Sequence, residues 1–86
     1  SARLARLVAR GHAPGVGPEA ARRELDADDV LFRGTTAAQA FAVRAELDVR
    51  CGDPLSAFTD FHEALVRSED PAVRRHLERR IAGLVA

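Results

Sequence analysis

Apolar residues recur at helical spacing along most of this chain, and nowhere does strict alternation persist long enough for a strand. Leu4, Leu7 and Val8 form a short stripe with Arg3, Arg6 and Arg10 on the other side, which predicts a helix over residues 2–10. Gly11 stops it, and GHAPGVGP, with three Gly and two Pro, reads as loop. Pro18 suits a first helical turn, where its missing N–H costs nothing, and Glu19 complements the helix dipole. The second helix presents Ala20, Ala21 and Leu25. It either runs on to Phe32 or breaks near Asp28, with continuity slightly favoured, and Gly34 ends it.

Thr36 and Gln39 have the spacing of a capping box and predict a third helix over residues 37–51. Phe41, Ala45 and Val49 mark one apolar face and Ala40, Val43 and Leu47 a second, as a helix between two neighbours requires. Gly52 closes this helix, Asp53 caps the next and Pro54 opens it. Leu55, Phe58, Phe61 and Leu65 form the expected stripe of the fourth helix, with small Ala57 and Ala64 permitting close approach. Asp70-Pro71 repeats the cap-plus-proline signal. The last helix, residues 71–85, is expected to bury Val73, Leu77, Ile81, Leu84 and Val85 and to turn Arg74, Arg75, Glu78 and Arg79 to water. The expectation is an all-α fold of antiparallel helical hairpins, about five helices, in one domain spanning residues 1–86.

Composition narrows the function classes. Of 86 residues, 47% are hydrophobic and 30% charged, which suits a folded domain rather than a disordered one. Thirteen basic residues, all Arg, balance thirteen acids, so no global field steers the chain to nucleic acid or membrane. No apolar run approaches the about 20 residues that span a bilayer, and the start is too short and too charged for a signal-peptide core. The single cysteine, Cys51, excludes an internal disulfide and favours a reducing compartment, so a cytoplasmic setting is expected.

Residues 37–64 resemble a tetratricopeptide repeat, a helical hairpin of about 34 residues. Phe41 takes the aromatic place and Ala45 the small one, while Arg44 and Asp48 depart from the Leu and Tyr places. Ala57, Phe61 and Ala64 carry the small-large-small packing of the second helix, Gly52 sits in the turn, and Pro71 stands about two residues late for the helix-end proline. On this resemblance residues 37–67 are the best repeat. Residues 2–33 read as a degenerate one, with Gly11, Ala21 and Leu25 in the turn, small and large places. Residues 71–85 are a capping helix or the first helix of a further repeat. The resemblance implies a non-catalytic module that binds a protein or peptide on the face of its first helices, here Gln39, Ala42, Glu46, Val49 and Arg50. Ala42 and Glu46 do not suit the clamp that some repeats build for an acidic peptide carboxylate, and Glu46 with Arg50 has the spacing of an ordinary i, i+4 ion pair.

Two other readings stay open. LFRGTTAAQ, residues 31–39, resembles the finger-loop segment of Ras GTPase-activating proteins and implies Arg33 as an arginine finger, though the second arginine motif of that family is missing. A structural bundle would instead self-associate through the Leu4/Leu7/Val8 or Leu77/Ile81/Leu84 stripe. His12, His62, His76 and Cys51 lack metal-ligand spacing, so no metal or other cofactor is expected. Asp26, Asp28 and Asp29 lack the glycine and terminal Glu of a calcium loop. Arg74, Arg75, Arg79 and Arg80 have no aromatic partners for stacking bases and read as a solvated helix end.

Overall fold

The computed structural model describes residues 17–85, and among these every regular element is helical. Helix α1 spans Pro18–Asp26, α2 Ala37–Arg50, α3 Pro54–Arg67 and α4 Pro71–Val85, with short 3₁₀ turns at Asp29–Phe32 and Gly34–Thr36 between α1 and α2. The helix expected over residues 2–10 and the loop after it lie outside the described residues.

The second helix does not continue to Phe32. Asp28 leaves helical geometry at φ −111° and ψ 75°, and its carbonyl accepts the Leu31 N–H to start the 3₁₀ turn. Consecutive aspartates favour such a break because their side chains compete for nearby backbone groups. The proposed capping box does not form either. The 3₁₀ turn at Gly34–Thr36 feeds directly into α2, so Thr36 already has helical dihedrals, and its hydroxyl points backwards to donate to the Leu31 carbonyl at 2.8 Å.

The α2–α3 turn follows the sequence closely. Asp53 N–H bonds to the Asp48 carbonyl and Gly52 N–H to that of Val49, the paired bonds of a Schellman ending. Gly52 supplies the positive φ of 74° that this ending needs. The Asp53 carboxylate then accepts the Ser56 N–H at 3.2 Å, and Pro54 occupies the first turn of α3. The two helices are antiparallel: Arg67, at the end of α3, lies 4.7 Å from the ring of Phe41, near the start of α2.

Packing divides into two apolar clusters on opposite sides of α2. Ala21 and Leu25 of α1 meet Leu31, Ala40 and Leu47 in one. Ala45, Ala57, Phe61, Ala64 and Leu77 form the other, joining α2, α3 and α4. The buried stripe of α3 is therefore Ala57, Asp60, Phe61 and Ala64. Leu55, expected inside, is 82% exposed, and Phe58 is also at the surface. Leu55 borders a depression of about 340 Å³ shared with Arg22, Arg44 and Asp48, and the Phe58 ring lies 4.5 Å from that of His62 on the same helix. In α4 only Leu77 is fully buried; Ile81 and Leu84 pack partly against the second cluster, while Val73 and Val85 are exposed. Arg74 does not face water alone. Its guanidinium donates to the carbonyls of Leu65 at 2.7 Å and Ser68 at 2.9 Å, satisfying acceptors at the C-terminal end of α3.

Candidate functional site

Helix α4 packs back on α3 and so comes to lie beside α2, leaving a trough between the two. Positions 39, 42, 43, 46, 47 and 50 of α2 recur at three- and four-residue spacing and face it. Gln39, Ala42, Val43, Glu46, Leu47 and Arg50, with Phe61, His76 and Leu77, enclose about 410 Å³. A second depression of about 730 Å³ shares Gln39, Ala42 and Leu77 and extends the trough past Ala38 and Val73 to the α3–α4 turn. Four of the five residues anticipated for partner binding thus share one surface. Val49 does not, because it lies on the Phe41/Ala45 face and packs against the α3 cluster.

The expected Glu46–Arg50 ion pair is replaced by a link across the trough. Glu46 accepts from Arg80 of α4 at both carboxylate oxygens, 3.0 Å from Nε and 2.5 Å from Nη2, and Arg80 also lies over the Phe61 ring. Arg50 remains exposed at one end of the trough.

On the opposite side of α2 stands a polar junction that the sequence reading missed. Arg44 donates bidentately to Asp60 at 2.9 Å and to Asp26 at 3.0 Å, so one guanidinium ties α1, α2 and α3 together. Its plane covers the ring of Phe32 at 4.3 Å, and Phe32 meets Phe41 edge-on. Burial works against the charge on Arg44, yet Asp60 and Asp26 outweigh it and its pKa is raised. Arg22 of α1 reaches Asp48 at 3.1 Å and Asp53 at 2.9 Å. Hydrogen bonds to Cys51 and Asp53 hold its pKa above the ordinary arginine value. Asp53 is itself lowered, chiefly by the bonds from Ser56 and then by Arg22.

Asp48 differs from its neighbours. It is 1% exposed, and neither carboxylate oxygen has a hydrogen-bond partner, since Arg22 is close but poorly aligned. Burial, then the adjacent Asp60, pushes its pKa up to about 8. The signal for this junction was present in the spacing: Arg44 and Asp60 stand equidistant from Gly52, so an antiparallel hairpin turned at Gly52 brings them face to face.

Arg33 is exposed between the two 3₁₀ turns, while its neighbours Leu31, Phe32 and Thr36 are engaged in packing and turn bonds. Among the described residues no cluster of His, Cys, Asp and Glu has the arrangement of a metal site, and no helix is long and apolar enough to cross a membrane. No protein-family profile, curated protein or solved structure matches the chain.

Proposed function

We propose that this chain is a non-catalytic, tetratricopeptide-like interaction domain whose α2–α4 trough takes a peptide segment of a partner protein. The observation behind this reading is the register across the trough. Helices α2 and α4 begin 34 residues apart, at Ala37 and Pro71, and Glu46 meets Arg80 at that same separation. A repeat of about 34 residues produces such a register, and its first helices line the binding face. In this reading α2 and α3 make one repeat and α4 opens the next or caps the array. The trough is concave and mostly apolar, with a few polar groups at its edges, as peptide-binding grooves are. A cytoplasmic setting and the absence of nucleic-acid or membrane partners belong to the same reading.

Peptide-display selection on the wild-type domain, with an Ala42→Trp variant as the counter-target, tests it. The indole is placed to fill the trough beside the second apolar cluster, against whose edge Ala42 packs, and an unchanged unfolding midpoint of the variant shows that the cluster is kept. Selected peptides are expected to bind the wild type at least about tenfold tighter than the variant and to shift the methyl resonances of Ala42, Val43 and Leu77. Peptides that bind both proteins equally, or no enrichment at all, would remove the trough as the functional surface.

A further inference from the structure

Opposite charges stand at the two ends of the α2–α4 trough. Arg50 is exposed at one, in the last turn of α2. Glu69 and Asp70 are exposed at the other, just before α4. Neither Arg50 nor Glu69 has an ion-pair partner among the described residues. Asp70 accepts the Ala72 N–H at 2.9 Å. Arg67 shares the acidic end, but its guanidinium is turned to Glu63 and over the ring of Phe41. Between the ends, Glu46 is neutralised by Arg80, and Ala42, Val43, Val73 and Leu77 leave an apolar floor. In the register that sets Glu46 beside Arg80, Asp70 is level with Thr36, so Arg50 lies about 20 Å further along the helices at 1.5 Å per residue. An extended chain covers that span in about six residues.

We propose, resting on the peptide-binding reading of the trough, that its ligand is an extended segment of a partner protein with an acidic and a basic side chain about six positions apart and apolar side chains between them. The acid meets Arg50 and the base meets Glu69 and Asp70. Alternate side chains of an extended segment point the same way, so the apolar ones between the charges reach the floor at Ala42 and Leu77. Charges at an exposed rim select among partners and fix the direction in which the segment lies more than they add affinity. Each contact is worth up to about fivefold at low salt. The same polarity works against the chain's own residues 2–10, whose charges are all arginine and include none that Arg50 would attract.

The test is a charge exchange on peptides selected from a randomised display library at low salt. Peptides that bind the wild type and not Ala42→Trp are expected to carry an acid and a base about six positions apart. For a synthetic peptide of that set, Arg50→Glu is expected to weaken binding about tenfold, because repulsion replaces attraction. Replacing the peptide's acid by lysine should then restore it. Glu69→Lys, with the peptide's base replaced by glutamate, repeats the exchange at the other end and decides alone should Arg50→Glu not fold. Trough-dependent peptides that lack the charge pair, or exchanges that restore nothing, would overturn the proposal while leaving the trough as a peptide site. Selected peptides with basic charges alone and the spacing of Leu4, Leu7 and Val8 would assign the trough to residues 2–10 and overturn it as well. So would a dimer of the free chain, seen by sedimentation, that Ala42→Trp abolishes. If no peptide distinguishes the wild type from Ala42→Trp, the trough and this ligand fall together.

Discussion

Arg44 shows how one side chain can organise a small helical core. In the tetratricopeptide pattern that residues 37–64 resemble, this position belongs to a leucine, and a leucine there would simply join the apolar face. The arginine instead places a charge beside the half-buried rings of Phe32 and Phe41 and neutralises Asp60, which is 5% exposed. Removing one member of such a pair leaves the other charged and unpaired in a dry site. Arg44→Ala is therefore expected to cost about 3–5 kcal/mol, read from urea unfolding of both proteins. Arg44→Lys should recover only part of this, because an ammonium can neither bind Asp60 bidentately nor stack on Phe32. A loss below about 1 kcal/mol for Arg44→Ala, the range of a surface pair, would show that solvent screens this junction. From sequence alone Arg44 was visible as a departure from the repeat pattern, but hydrophobic periodicity assigns an arginine to the surface by default. Only the mirror relation of Arg44 and Asp60 about Gly52 hinted at a buried pair.

At the scale of elements, the legible parts were those fixed by local chemistry. Gly52, Asp53 and Pro54 each do in the structure what their backbone preferences require, and the α3 and α4 starts follow from Pro54 and Pro71. Thr36 and Asp28 were less legible because each could serve two local geometries, and the packing of Leu31 and Phe32 under α2 selects between them. The stripe of α3 was misread because Leu55 and Phe58 outrank Ala57 and Ala64 in hydrophobicity, whereas close helix contact selects for small size. The α2–α3 turn offers a clean test. An alanine at position 52 meets no neighbouring atom, so its whole effect comes from holding a φ of 74°. Gly52→Ala should cost about 1–2 kcal/mol without altering the helical circular-dichroism signal. Asp53→Ala should cost more than the about 1 kcal/mol of a lost N-cap, because it also frees Arg22. Thermal unfolding of the two variants checks both expectations. An unchanged midpoint for Gly52→Ala would mean that the turn readily adopts another geometry.

For the whole molecule, the two faces of α2 perform different work. One face carries the charged junction that fastens α1, and the other opens to the trough beside α4. The tetratricopeptide resemblance pointed to the trough side, through Gln39, Ala42, Glu46 and Arg50 with Val49 misplaced, whereas no local pattern announces the long-range pairing of the junction. Arg80 separates shape from stability on the trough side. Its pair with Glu46 is partly exposed, so water and salt screen it, and it adds at most about 1 kcal/mol. What keeps α4 in place is Leu77, with Ile81 and Leu84, on the α3 cluster. Arg80→Ala should therefore leave the unfolding midpoint nearly unchanged while freeing the two walls of the trough to shift against one another. Peptides selected on the wild type should then lose affinity by more than the stability loss accounts for, and the loss should shrink at high salt, where the wild-type pair is already weakened. Fluorescence anisotropy with a labelled selected peptide, at low and high salt, measures this directly. Unaltered affinity alongside unaltered stability would mean that the Glu46–Arg80 link does not set the width at which the trough receives its ligand.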